Sequence, residues 1–398
     1  MRIAYVSSDT GVPVFGTKGC SVHLQEMVGA FCGLGAHVDV FSPSTKGDAN
    51  ELLSRAVVRR LPKPTRTDGP AYERAKLKMN RALFSALRLH GPYDLVYERY
   101  SLWSYAGIQY AAEERISAYL EVNAPLIAEQ SKHRSLYNVQ GAEAVLQRLL
   151  SRRPRCLAVS EEVGRYLIEK GAIPDDVQVQ PNGVNTSRIS PDVPPSVARE
   201  RDVVNIGFVG TLKPWHGVPS LVEACSLLQT WGSPFRLFIV GDGPERRNLE
   251  RLVYQHRLES RTSFLGAIEP QEMPAILTSL DIGVAPYSVA EGFYFSPLKI
   301  YEYMAAGLAV VSSSLGQPAQ TIDHGHNGLL YTPGSSTELA CCLRRLVSDS
   351  VLRSRLGEQA RQDVVARHQW RHIAKAIIAG VRRQEETRHW TERERATT

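Results

Sequence analysis

The chain lacks most of the features that would take it out of ordinary globular chemistry. Apolar stretches such as Leu308–Val311 are far too short to span a bilayer. The N-terminus runs from Met1-Arg2 straight into the strand-like Ile3-Ala4-Tyr5-Val6, with no signal-peptide pattern. Six cysteines (Cys20, Cys32, Cys156, Cys225, Cys341, Cys342) show no CxxC spacing, so the expectation is six reduced thiols in the cytoplasm. No charge of one sign dominates: 47 Lys and Arg against 41 Asp and Glu leave +6. That small excess suits a phosphorylated small molecule better than nucleic acid, for which no binding signature is present. A P-loop is missing too. Gly11 to Lys18 approaches one, but Thr17 separates Gly16 from Lys18, and no GxGxxG replaces it.

What is present is alternation. With 398 residues the chain has room for about two to three domains. Strand-like runs lie at Ile3–Ser8, His37–Phe41, Leu95–Tyr97, Ala118–Val122, Leu157–Val159 and Val177–Val179. Helical patterns separate them: Leu24, Met27, Val28 and Phe31 share one face, and 71–90 reads as another helix. Residues 186–202 are polar, Pro-rich and aperiodic, which predicts a linker. The pattern then restarts at Val204–Val209, Arg236–Val240, Ser263–Leu265, Ile282–Ala285, Ala309–Ser312 and Leu329–Tyr331. Alternating β and α predicts two doubly wound parallel sheets, with ligands at the C-terminal ends of their strands. The expected boundaries are an N-terminal domain at 1–187, a C-terminal domain at 188–370, and a final helix, 371–398, returning to the first.

Three segments carry chemistry. Phe15-Gly16-Thr17-Lys18-Gly19 joins a strand to a helix, where free N–H groups and the positive dipole end attract an anion. Gly210-Thr211-Leu212-Lys213-Pro214-Trp215-His216-Gly217 follows the first strand of the second half and is expected to set Lys213 and His216 at the cleft rim, where a cation could neutralise a leaving diphosphate. Ser296-Pro297-Leu298-Lys299-Ile300-Tyr301-Glu302 enters a short helix, placing Glu302 one turn beyond its start, where a carboxylate can accept two ribose hydroxyls. Arg74, Lys76, Lys78 and Arg81 beside Leu77, Leu83 and Phe84 admit an interfacial helix. Lipid attachment needs more apolar anchoring, so a helix packed on the sheet is favoured over peripheral membrane contact.

Taken in order with Pro181-Asn182-Gly183-Val184, Val240-Gly241-Asp242-Gly243-Pro244 and Phe264-Leu265-Gly266, these segments resemble the family 4 retaining glycosyltransferases of the GT-B fold. The resemblance covers nearly the whole chain. It implies two Rossmann-like domains facing across a cleft, with a nucleoside-diphosphate sugar on the C-terminal one and an acceptor mostly on the N-terminal one. It also implies neither cofactor nor required metal. A UDP-sugar such as UDP-GlcNAc or UDP-glucose is the commonest family donor; the acceptor is a small molecule, a carrier-bound group or a lipid. Gly16, Gly19, Gly210 and Thr211 fall in donor-binding turns, Pro297, Leu298 and Lys299 offer backbone N–H groups to the diphosphate, Ser296 opens that segment, and Ile268 lies beside the base. Glu302 matches the second Glu of the family's Glu-x7-Glu motif. The first falls at Tyr294, a departure, since Glu291 lies three residues too early. The family's Arg and Lys fall at Thr211 and His216, so Lys213 is the displaced cation and His216 a second donor. Asn123 stands where the family has a histidine near the sugar, and Glu98, Arg99 and His133 are the expected acceptor contacts. The alternatives are a nucleotide-sugar 2-epimerase of the same fold and a non-enzymatic nucleotide-binding module.

Overall fold

A computed structural model describes residues 1–398 except 49, 66, 68, 134, 199, 289–292 and 398; the side chains of 133, 385 and 387–397 are likewise outside the description. The chain divides into two compact units, Met1–Pro181 with Trp370–Thr398, and Asn182–Gln369.

In the first unit β1 (Arg2–Ser7), α1 (Gly19–Gly33), β2 (His37–Ser42), β3 (Val57–Arg60), α2 (Pro70–His90), β4 (Leu95–Arg99) and α3 (Ala106–Glu113) come first. They are followed by β5 (Ser117–Val122), α4 (Leu126–His133), α5 (Val139–Leu150), β6 (Arg155–Ala158), α6 (Glu161–Glu169) and β7 (Val177–Val179). All seven strands are parallel, in the order β3-β2-β1-β4-β5-β6-β7. Strands buried on both faces need apolar side chains on both, and Ile3, Ala4, Tyr5 and Val6 of β1 are fully buried. The stripe Leu24, Met27, Val28 and Phe31 of α1 is buried as its spacing predicts, and α2 sinks Leu83 and Leu87 into the core with Val96 and Tyr110.

The second unit runs β8 (Val204–Val209), α7 (Val218–Thr230), β9 (Phe235–Val240), α8 (Arg246–Gln255), β10 (Thr262–Gly266), α9 (Met273–Leu277), β11 (Ile282–Ala285) and α10 (Leu298–Ala305). It ends with β12 (Ala309–Ser313), α11 (Gly316–Thr321), β13 (Leu329–Tyr331), α12 (Ser336–Ser348) and α13 (Ser350–Arg367). Its six parallel strands are ordered β10-β9-β8-β11-β12-β13. The last helix, α14 (Trp370–Thr397), belongs to the first unit, where the Trp370 ring lies 4.7 Å from that of His23 on α1.

Residues 186–202 are not a free linker. Arg361 donates from Nη1 to the Ile189 carbonyl (2.8 Å) and from Nη2 to the Thr186 carbonyl (2.9 Å). Val197 N–H donates to Ser279 Oγ (3.0 Å), and Ile189 is buried. The segment is aperiodic because its backbone is satisfied by partners distant in sequence, and the division between units therefore falls at Pro181-Asn182 rather than after residue 187.

In each sheet the strand order reverses once, between β1 and β4 and between β8 and β11. Outside the C-terminal ends of such a pair the connections depart to opposite faces and leave room for a ligand. Among the described residues no helix is long and apolar enough to cross a membrane.

Candidate active site

At the reversal in the second unit, β8 and β11 stay in register only as far as Gly207 and Gly283. Beyond that they diverge, and the phenol of Tyr303 on α10 fills the gap. It accepts from Val209 N–H (2.8 Å) and donates to the Val284 carbonyl (3.4 Å). The ring packs flat on Gly283, where a Cβ would lie 2.5 Å from it. Helix α10 is thereby fixed at the strand ends, and its start is held from behind. Asn182 donates from its backbone N to Ser296 Oγ (3.0 Å) and from Nδ2 to the Ser296 carbonyl (2.5 Å).

The turn after β8 sits against the same strand ends. Gly217 has φ +66°, and a Cβ there would stand 1.7 Å from the Pro286 carbonyl, so only glycine lets the turn close on the exit of β11. His216 lies among the rings of Phe208, Trp215 and Tyr287, at centroid distances of 5.9, 6.1 and 5.8 Å. Its Nδ1 makes a short contact with the Thr211 carbonyl. A carbonyl only accepts, so Nδ1 carries the proton and Nε2 offers a lone pair. Burial, then the charge of Lys299, push the imidazolium down to about 3. Lys213 reaches out along Trp215, with Nζ 5.7 Å from the ring.

Gly210, Thr211, Lys213, His216, Pro297, Leu298, Lys299 and Glu302 thus gather at one sheet reversal, as their spacing predicts. Two expectations change. Without a ligand His216 is neutral and its N–H is spent on Thr211, so in this state it offers a diphosphate no second N–H. Ser296 uses its hydroxyl and carbonyl on Asn182, and its Oγ also lies 3.2 Å from the Tyr301 hydroxyl, so it braces the helix start instead of binding donor. The Tyr294 ring packs beside that of Phe295 (4.3 Å), and Ile268 lies half-buried after β10. Glu291 lies outside the described residues.

In the first unit, Gly16 and Gly19 lead into α1, Gly19 being its first residue. A Cβ on Gly16 would stand 2.6 Å from both Pro13 Cγ and Ser21 Oγ. Across the reversal, Ser8, Asp9, Thr10 and Gly11 after β1 and Ser101 to Ser104 after β4 line a cavity of about 290 Å³. Helix α2 adds Tyr72, Lys76 and Met79, and α4 adds Glu129 and Gln130. The Lys76 ammonium lies over the Tyr72 ring at 4.5 Å.

Glu98 and Arg99 do not line that cavity. As neighbours on β4 they face opposite sides of the sheet. Glu98 is fully buried, accepts from Ser104 Oγ (2.6 Å) and Ile108 N–H (2.9 Å), and so caps the first turn of α3. Burial raises its carboxyl to about 7 against those hydrogen bonds. Arg99 donates from Nη1 to Glu121 Oε2 (3.1 Å) on β5. Glu121 also receives Tyr97 OH (2.7 Å) and stands 2.5 Å from His23 Nε2. Both side chains, expected to contact the acceptor, are thus engaged by partners within the first unit. Asn123 follows β5 with its buried Nδ2 making no hydrogen bond among the described residues. The side chain of His133 lies outside the description. The cavity residues Asp9, Tyr72 and Trp103 leave no signal in sequence, and Lys76 stands out there only as part of a basic helix face, because β1, α2 and β4 meet only in the fold.

Two sequence families divide the chain. "Glycosyltransferase Family 4" matches residues 17–188 and "Glycosyl transferases group 1" matches 194–363. The chain belongs to the family 4 glycosyltransferases of the GT-B fold. Among its relatives is the D-inositol 3-phosphate glycosyltransferase of Corynebacterium glutamicum, 26% identical over 90% of this chain and 91% of that protein. The uncharacterized glycosyltransferase MJ1607 of Methanocaldococcus jannaschii is 33% identical, over 46% of each chain. The chain thus spans less than half the length of that relative. In fold it is similar to Anabaena HepE in complex with UDP, with a TM-score of 0.72 and 19% identity over 96% of this chain and 99% of that one. Both relatives are described as glycosyltransferases, and the epimerase alternative finds no support in them.

Proposed function

We propose that this glycosyltransferase moves a hexose, with retention of anomeric configuration, from a UDP-sugar such as UDP-glucose or UDP-GlcNAc to an acceptor hydroxyl or amine. The observation that carries the reading is the gathering of the Gly210–Gly217 turn and the start of α10 at one sheet reversal, with Glu302 one helical turn beyond. Phosphate oxygens suit the free N–H groups and positive dipole end of α10, and Lys213 adds a mobile cation. Glu302 suits the ribose hydroxyls. HepE, which shares the fold, is in complex with UDP, and that supports the choice of base.

In the step proposed, the bond from the anomeric carbon to the phosphate oxygen breaks as the acceptor oxygen or nitrogen bonds to the same face. The acceptor's proton passes to the departing phosphate oxygen. Such a step asks the protein for positioning and for positive charge at the leaving group more than for a strong base. No metal ion is needed if lysines and helix dipole supply that charge. The acceptor, whether small, carrier-bound or lipid-linked, is assigned to the cavity of about 290 Å³, whose Tyr72 and Trp103 rings suit sugar-like faces and whose Asp9 and Glu129 suit hydroxyl or ammonium groups.

The test is a nucleotide-sugar and acceptor panel with EDTA present, followed by the NMR coupling constant of the product's anomeric proton. A product with the donor's configuration is expected. Inversion, or activity only with added Mg²⁺ or Mn²⁺, would overturn the mechanism while leaving the family intact.

A further inference from the structure

Lys299 is a lysine in the wrong place for a structural role. It is the second residue of α10, at the end that favours anions, and more than nine-tenths of its surface is buried. Its Nζ makes no hydrogen bond among the described residues. It lies 3.9 Å above the centre of the Phe208 ring and 5.4 Å from that of Tyr287. Aromatic faces compensate an ammonium only in part, and an unpaired buried charge is costly. A chain selected for stability alone would place a methionine there.

The ammonium is also aimed. A Cβ on Gly210 would stand 2.8 Å from Nζ, so the charge lies against the bare α-carbon of the turn that leaves β8. Gly210 has φ +144°, a conformation that glycine tolerates, and its lack of a side chain keeps the way open between the lysine and the space outside the strand ends. Among the described residues, the charged or titratable groups facing Nζ are Glu302 on its own helix, His216 in the 210–217 turn and the Tyr287 phenol after β11, while Lys213 acts on His216 from that same turn. Neutral His216 supplies no charge.

Resting on the donor reading above, we propose that the Lys299 ammonium, and not only the backbone N–H groups around it, is the buried counter-charge for the donor's diphosphate, held without a partner until the donor arrives. Two side chains would then share the leaving group's charge: Lys213 from the solvent side and Lys299 from the protein side. Burial holds the free ammonium's pKa down to about 7, with Glu302 opposing the shift. A diphosphate would reverse that, so at pH 8 binding should draw most of a proton from solvent.

Calorimetry with UDP and with uridine, in buffers of different ionisation enthalpy at pH 8, tests this on the full chain. Wild type should take up a proton with UDP and none with uridine. Lys299→Gln should lose roughly ten- to a hundred-fold in UDP affinity, keep its uridine affinity, and lose the proton uptake. Lys299→Met should do the same while melting at an equal or higher temperature, which separates lost binding from lost folding. If either folded variant binds UDP like wild type, the counter-charge role is wrong although the donor reading stands. If wild type binds none of UDP, GDP, ADP and dTDP, the donor reading itself falls, and this inference with it.

Discussion

His23 Nε2 stands 2.5 Å from Glu121 Oε1, a buried contact between α1 and β5 that also involves Tyr97 and Arg99. Burial alone would raise the Glu121 carboxyl, but the charge and hydrogen bond of His23, then Arg99 and Tyr97, hold it down to about 2. A carboxyl depressed in the folded state stabilises above its unfolded pKa, near 4.3, and that contribution fades as pH falls from there toward 2. Glu121→Ala should therefore cost about 3–5 kcal/mol at pH 7, because it strands the buried Arg99 guanidinium, and less at pH 3, where part of the carboxylate's contribution has faded. Urea melts at the two pH values read this directly; equal losses at both would mean that charge is not the cause.

Glu302→Ala should weaken UDP binding by about 1.5–3 kcal/mol, the range for a hydrogen bond to a charged group. Calorimetry against wild type decides it, and unchanged affinity would remove the ribose assignment.

Lys213→Ala should lower kcat by ~10²-fold or more, with little change in the melting temperature, since its side chain is not in the core. Normal turnover in that variant would place the charge stabilisation elsewhere.

His216 should stay neutral across the working range. Its imidazolium pKa of about 3 predicts a ring proton shift that is flat between pH 5 and pH 8 in the NMR spectrum. A midpoint near 6.5 would contradict the buried Nδ1–H geometry.

Lys76→Ala should raise the acceptor KM several-fold, because a cation stacked on Tyr72 shapes the cavity wall, and leave the donor KM unchanged. A change in the donor KM alone would separate this cavity from the acceptor.

Local pattern carries the strands and helices because each is buried over most of its length, and the Leu24–Phe31 stripe or Val204–Val209 can be read without partners. Edge strand β3 is not legible in this way: Val57–Arg60 lies at the sheet border with exposed ends, and burial leaves little mark on it. Turns rich in glycine mark the reversal in the second sheet, since both the 210–217 turn and the start of α10 are continuous in sequence. The roles of Glu98 and Arg99 cannot be read the same way. Which face of the sheet each occupies, and whether Ser104 or Glu121 waits there, depends on register across β4, β5 and α3. Ser296 misleads for a similar reason, its partner Asn182 being distant along the chain.

The two units differ in how the ribosome delivers them. Residues 182–369 emerge as one uninterrupted piece and can complete their fold while the remainder is still being made. The first unit has all its strands early but waits for Trp370 and the rest of α14, made after all of 182–369, before α1 gains its cover. A nascent chain stalled just after residue 369 should therefore resist protease across 182–369 and be cut in the first unit; equal protection of both would show that α14 is dispensable. Of the two units the one begun earlier is completed later, and until then it is the one that needs shielding from aggregation.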